Sequence, residues 1–457
     1  MGKMKKKRSQ RKQLHRERKK TKFMILLISL EVLGLVLIVG LGFIYYKVSE
    51  RQQVENRLEK AGVTHELLEG TNVSSNAKNN NEEIRTGKYS EVLRDQKYCR
   101  NNKIVSKDTM SEDTVTLAFA GDISFAEGYA NMASLQKRGK DIRECFDEAI
   151  LLEMENADIF MVNNEFPYTD RGTKTAEKTF TFRTEPENVK LLYQLGIDAV
   201  SIANNHVYDY GLQSLEDTLT TLDDAAMPYT GAGKTLEEAK KPIYFIANDR
   251  KIGIISATQI ERLDNPDTPG ATDDSAGTFR CWNDDTILSV VESMKQECDY
   301  VIAYIHWGTE MQTETDWAQE KQAQELADAG ADLIIGDHPH ILQRIDYIGD
   351  TPVIFSLGNF WFNSKAMDTG ILKVTLDFED ATGTDGNVTA SSEKKTANAT
   401  ATTGETDIRV NVQFLPARQE NCTTTLLTGT EKERVLQEMR AISPNVTIDE
   451  EGNVTAR

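Results

Sequence analysis

Leu333-Ile334-Ile335-Gly336-Asp337-His338-Pro339-His340 is the stretch on which the fold turns. Its first three residues form a short apolar, β-branched run that reads as a buried strand, and the run empties into a glycine, an acid and two histidines. Histidines one residue apart across a proline project to the same side of an extended segment, which suits either one metal or two adjacent metals. A histidine kept for packing needs no such company. A divalent ion needs neutral imidazoles and carboxylates that converge from several loops held by a rigid sheet.

The same pattern recurs outward from that stretch. Runs 115–120, 159–162, 199–202, 251–256, 300–305 and 353–355 are short, apolar and β-branched. Helical patterns lie between them at 142–155, 187–195, 211–225, 284–296 and 316–329. This alternation predicts an α/β architecture with much parallel pairing, whose site lies beyond the carboxyl ends of the strands. The roughly 300 residues from 113 to 427 suffice for one large domain. Two alternating segments, 371–378 and 408–414, bracket a polar low-complexity run, 381–406, that reads as a hairpin insertion; 428–457 reads as a C-terminal helix and tail.

Each predicted strand end carries polar chemistry. The first delivers Gly121-Asp122-Ile123-Ser124, where Asp122 is either an Asx-turn residue or a ligand. The second delivers Asn163-Asn164-Glu165-Phe166-Pro167, polar residues that cap a turn or supply a bridging carboxylate from Glu165. The third delivers Asn204-Asn205-His206 and then Asp209-Tyr210-Gly211. Asn205 is a neutral oxygen ligand candidate, and His206, one place along, points elsewhere as a candidate proton donor. His306-Trp307-Gly308-Thr309-Glu310 ends the run 300–305, with Trp307 a pocket wall. Ser356-Leu357-Gly358-Asn359-Phe360 reads as a structural turn facing the site.

The amino terminus has a different character. Residues 1–22 hold twelve Lys or Arg and one acid, Glu17, and 23–46 is almost wholly apolar. About twenty apolar residues cross a bilayer core, so this is expected to be an uncleaved transmembrane helix behind a basic cytoplasmic arm. Glu31 costs roughly 2.5 to 3.5 kcal/mol at the bilayer centre, which some fifteen aliphatic neighbours at about 0.3 to 0.6 each outweigh. Positive-inside topology then places the chain beyond 47 outside the cell, with 47–112 a charged and polar tether. Subtracting the arm's charge of about +11 from the total of −19 leaves about −30, which argues against nucleic acid as a partner. Cys99, Cys145, Cys281, Cys298 and Cys422 are scattered with no CxxC pair, which argues against structural zinc on cysteine.

The ordered set GD, NNEFP, NNHxxDxG, HWGxE, GDHPH and SLGNF, from Gly121 to Phe360, resembles the CapA family of capsule synthesis proteins, associated with poly-γ-glutamate and similar to calcineurin-like metallophosphoesterases. The resemblance implies a two-sheet sandwich flanked by helices with two divalent ions on its loops. Carried over residue by residue, it implies Asp122 and His340 at one ion, Asn205, His306 and His338 at the other, Glu165 as the bridge and His206 as the group that protonates the leaving group. Phosphoesterases usually carry Asp-x-His where this chain has Asp122-Ile123-Ser124, and a bridging Asp where it has Glu165. Nitrogen and oxygen donors without thiolate admit Mn, Zn, Fe or Mg. Asn164, Arg183 and Arg344 are the candidate substrate contacts. The expected protein is a membrane-anchored, outward-facing hydrolase or transferase acting on an anionic cell-surface polymer beside capsule synthase subunits. The rival readings are a non-catalytic accessory for polymer export or tethering, and a general extracellular phosphodiesterase.

Overall fold

Apolar runs become strands buried on both faces in the computed structural model, which describes residues 87–260, 268–378, 400–403 and 406–457. The expected arm 1–22, membrane helix 23–46, first part of the tether (47–86) and most of the insertion 381–406 lie outside the described residues. Among the described residues, no helix is long and apolar enough to cross a membrane.

The strands that build the site are β1 (Thr114–Ile123), β2 (Ile159–Asn164), β3 (Ala199–Ser201), β4 (Arg250–Thr258), β5 (Tyr300–His306), β6 (Leu333–Asp337), β7 (Asn359–Trp361), β8 (Met367–Asp377) and β9 (Thr406–Glu420). The helices that support them are α1 (Leu212–Asp224), α2 (Asp285–Glu297), α3 (Trp317–Asp328) and α4 (Gly429–Ile442). In one sheet β4, β5 and β6 are parallel neighbours. In the other, β1, β2 and β3 are parallel neighbours, β8 runs antiparallel to β1, and β9 runs antiparallel to β8. The expected hairpin therefore forms, with Ile371 opposite Leu415.

The two sheets face each other across one apolar layer. Leu117 and Phe119 of β1, Ile254 of β4, Ile302 and Tyr304 of β5 and Ile335 of β6 meet there with Val374 of β8 and Val435 and Leu436 of α4. On the outer face of the first sheet, Val301, Ala303 and Ile334 pack against Ile287 and Val291 of α2 and Leu326 of α3. Burial on both faces is why these strands read as continuous apolar runs rather than as alternating ones. Each fully buried aliphatic side chain contributes about 1.5 to 3 kcal/mol. α3 starts at a capping box, in which Asp316 accepts from the third helical N–H and Gln319 reaches back.

Three expected boundaries move. Residues 87–112 do not continue the tether: Ile104–Ser106 adds a strand parallel to Ile243–Ala247 at the edge of the first sheet. The expected C-terminal helix is α4, but the residues after it are no tail, because Val446–Ile448 and Asn453–Ala456 form a hairpin that extends the second sheet alongside β9. The single helix expected at 142–155 is broken, since Phe146 lies extended beside Thr424 and Asp147 caps a new helix, Glu148–Glu155, by accepting from Ile150 N.

Candidate metal centre

Strand parity decides which polar residues reach the space between the sheets. In β5, Tyr300, Ile302 and Tyr304 face the inter-sheet layer while Val301, Ala303 and Ile305 face the helices, so the next inward position is His306. Leu333 and Ile335 face inward in β6, and Asp337 follows in phase. β1 needs a correction. Val115, Leu117 and Phe119 face inward, which would put Gly121 in line, but β1 carries an extra residue between the pairs Phe119↔Met161 and Asp122↔Asn163. This bulge brings Asp122 inward in place of Gly121. A side chain at Gly121 would also collide, because its Cβ would lie 1.9 Å from Gly358 O. Asp122 N donates to that same carbonyl at 3.0 Å, which docks the SLGNF turn against β1.

The loops beyond these ends bring the donors together. Glu165, His306 and His338 form one group, and Asp122, Glu165 and His340 a second, with the donor atoms of each group within 4.8 Å of one another. Glu165 belongs to both, its Oε1 3.6 Å from His306 Nε2 and its Oε2 3.9 Å from His340 Nδ1. Asn205 Oδ1 lies 2.8 Å from His306 Nε2, and His338 Nδ1 lies 3.1 Å from that nitrogen. His340 Nδ1 lies 3.0 Å from Asp122 Oδ2 and 2.9 Å from Asn359 Oδ1. The structure thus gathers Asp122, Glu165, Asn205, His306, His338 and His340 in one place.

The segment carrying the last two histidines is not extended, contrary to the expectation from its sequence. His338 has φ 95° and His340 φ 60°, so the chain turns sharply at both. Non-glycine residues held there cost about 1 to 3 kcal/mol each. The turn separates the rings by 5.9 Å between centroids and sends one to each donor group.

His206 stands at the rim. Its Nδ1 is 2.7 Å from Asp209 Oδ2 and its Nε2 is 3.9 Å from Glu165 Oε1. The Phe182 ring packs on it at 4.3 Å, and Phe362 packs on both Phe182 and His340. The three expected substrate contacts fare differently. Asn164 is fully buried and turned away from the centre: its amide donates to Phe166 O at 2.7 Å and accepts from Tyr168 OH at 2.9 Å. Arg344 is held on the flank by Glu320 at 2.9 Å and Asp346 at 3.4 Å. Arg183 follows Phe182 in sequence and lies over the Tyr210 ring at 4.4 Å.

Charge supplies the test of whether a cation fits. Both Glu165 oxygens are buried and accept no hydrogen bond from any described residue, and the same holds for Asp337. Orphaned carboxylates at such depth are costly unless a cation meets them. Burial pushes the Glu165 carboxyl well above the usual carboxylate range, with Asp122 and Asp337 adding to the rise. Burial also holds His306 and His338 well below the ordinary imidazole value, helped by the neighbouring histidines, which leaves both rings in the neutral form that a metal requires. His206 is lowered by burial against the pull of Asp209. For His340 burial also pulls downward, but Asp122 outweighs it and the ring ends above the ordinary value. The residues present fit divalent ions.

Sequence reading passed over several residues. Asn163, not Asn164, reaches the centre: its amide donates to Asp122 Oδ1 at 2.8 Å and lies 3.3 Å from His306 Nδ1. Counting parity from Ile159 and Met161, both of which face the inter-sheet layer, finds it. Asp337 completes a third donor group with Asp122 and His306. Asn359 touches the centre rather than merely turning toward it.

The model of the bacterial capsule synthesis protein family PGA_cap matches residues 116–364. The PGA biosynthesis protein CapA of Bacillus subtilis (strain 168) is 31% identical over 276 residues, covering 59% of this chain and 69% of that protein. The capsule biosynthesis protein CapA of Bacillus anthracis is 30% identical over 236 residues, covering 49% of this chain and 56% of that one. A probable polyglutamine synthesis accessory protein of Mycobacterium tuberculosis (strain ATCC 25618 / H37Rv) is 26% identical over 306 residues, covering 64% and 76%. The matched span contains every donor of the two groups that share Glu165, and the chain belongs to the bacterial capsule synthesis protein family PGA_cap.

Proposed function

We propose that this chain is a membrane-anchored, outward-facing capsule protein that acts on an anionic cell-surface polymer of the poly-γ-glutamate type as a two-metal hydrolase or transferase. The observation that carries the reading is Glu165, whose buried carboxylate stands between two donor groups with no hydrogen bond from any described residue. Glu165, Asn205, His306 and His338 would hold one divalent ion, and Asp122, Glu165 and His340 the other. When bound, such ions supply Lewis-acid activation of water and of the scissile group, and they offset charge that develops in the transition state.

The chain's own residues do the remainder. Asp209 accepts from His206 Nδ1–H, which leaves the Nε2 lone pair facing the centre to take up a proton and pass it on to the departing group. Phe182 and Phe362 pack edge-to-face at the rim, beside His206 and His340. Arg183 is the proposed contact for an anionic group flanking the reacting one. The similarity to PGA and capsule biosynthesis proteins supports polymer synthesis as the setting, and the basic arm with its apolar successor supports the anchor. Capsule synthase subunits are the proposed protein partners.

The test is to purify the full chain in detergent, count its metal ions, and follow the length and end groups of poly-γ-glutamate incubated with it. About two ions per chain and an altered polymer are expected; polymer untouched by the metal-loaded protein overturns the catalytic reading. One observation favours a non-catalytic accessory instead, since Ser124 stands where phosphoesterases carry an imidazole and accepts at its carbonyl from Asn131. Cells carrying His206→Ala separate the two: lost polymer output with metal retained supports catalysis, and unchanged output supports the accessory.

A further inference from the structure

We infer that Lys178 is a positioning residue that ties the ligand Asn205 and the proton-bearing His206 into one mechanical unit. This rests on the reading of those two residues given above. Lys178 lies on an irregular stretch between Asp170 and Thr184, outside the strand-end motifs. Its ammonium forms an ion pair with Asp209 Oδ1 at 2.6 Å and donates to the backbone carbonyl of Asn205. The pair is deeply buried, with side-chain exposures of 8% for Lys178 and 0% for Asp209.

Two chemically different jobs meet on this ammonium. Through Asp209, whose other oxygen lies against His206 Nδ1 at 2.7 Å and accepts from Phe182 N at 2.6 Å, it fixes the plane of the imidazole. Through the Asn205 carbonyl, which also accepts from Thr268 Oγ1 at 2.9 Å, it fixes the peptide from which the Asn205 amide reaches His306. Further bonds stitch the two loops together, since Thr175 donates from its backbone to Asp209 O at 2.8 Å and from its hydroxyl to Tyr208 O at 3.0 Å. Groups that orient the ligands of a metal change its affinity about 10- to 100-fold when removed. A lysine that served only to neutralise Asp209 would have no reason to touch the Asn205 carbonyl.

Removing one partner of a buried ion pair leaves an uncompensated charge, so Lys178→Met alone confuses misfolding with mispositioning. The charge-balanced double variant Lys178→Met/Asp209→Asn separates them. In the full chain, Lys178→Met is expected to weaken the affinity for one of the two ions, titrated with Mn or Zn, by about 10- to 100-fold. The double variant is expected to regain thermal stability without regaining that affinity. Added to Asn205→Ala, Lys178→Met is expected to cost no further affinity, because both act through one ligand. The nitrogen resonances of His206, assigned with His206→Ala in histidine-labelled protein, are expected to move in Lys178→Met. Native affinity in Lys178→Met, affinity restored together with stability, or additive losses with Asn205→Ala would each overturn the inference. A wild-type chain that binds no metal refutes the metal centre itself, whereas a wild-type chain that binds metal beside an unaffected Lys178→Met refutes only the role of Lys178.

Discussion

Glu165 Oε1 stands 3.6 Å from His306 Nε2, and the strands that deliver the two residues belong to different sheets. Glu165 follows the end of β2 and His306 is the last residue of β5. The centre is therefore assembled where the carboxyl edges of two parallel strand sets meet, and neither sheet supplies a complete donor group alone.

The two rings of the GDHPH turn should be separable by metal counting. His338→Ala disrupts the group of Glu165 and His306, and His340→Ala disrupts the group of Asp122 and Glu165. Each single variant is expected to retain about half the wild-type metal by elemental analysis, and the double variant none. Full metal in the double variant would remove the assignment.

Glu165 carries a pH signature in the metal-free protein. Its folded-state pKa lies above the unfolded value, so the folded chain binds the extra proton. That stabilisation is fully present below the unfolded value of about 4.3 and is lost as pH rises through the raised one. Under chelation, Glu165→Gln is expected to gain stability relative to wild type as pH increases across that window. Denaturant midpoints at several pH values read the difference, and an opposite slope contradicts the shift.

Asn164 and Asn163 are neighbours with different fates. Losing the Asn164 amide leaves Phe166 O and Tyr168 OH short of a partner, so Asn164→Ala should cost about 1 to 3 kcal/mol of unfolding free energy with metal content intact. Asn163→Ala should lower metal affinity as well, since its amide holds Asp122. Titration calorimetry beside chemical unfolding distinguishes the pair.

His206→Ala is expected to lower turnover about 100- to 10,000-fold while both ions remain. Asp209→Asn should follow it in part, because an amide can still engage the ring nitrogen but no longer carries the charge that favours a donor there. Loss of metal in His206→Ala would instead make that ring a ligand.

Gly121→Ala tests the docking of the SLGNF turn. With a Cβ 1.9 Å from Gly358 O, the turn must shift, at an expected cost of about 1 to 3 kcal/mol and with His340 loosened through Asn359. An unchanged melting temperature would mean that the turn yields freely.

Much of this arrangement was legible in the order of residues. The alternation of apolar runs with helical patterns placed β1 through β6, and polar residues just beyond those runs marked the side of the sheet on which the donors gather. Periodicity alone gave neither the bulge that exchanges Gly121 for Asp122 nor the positive φ values at His338 and His340, because neither leaves a mark on the spacing of apolar residues. Lys178 was invisible for a related reason: a lysine in a polar stretch reads as solvated, and only the tertiary fold buries it against Asp209. Residues 87–112 read as tether because strand Ile104–Ser106 is too short to announce itself without its partner.

A centre whose donors arrive from both sheets acts as a rivet between them. Any cation bound there preferentially by the folded chain adds stability that grows with the logarithm of its free concentration. Scarcity of divalent ions would then lower the standing amount of intact protein by mass action.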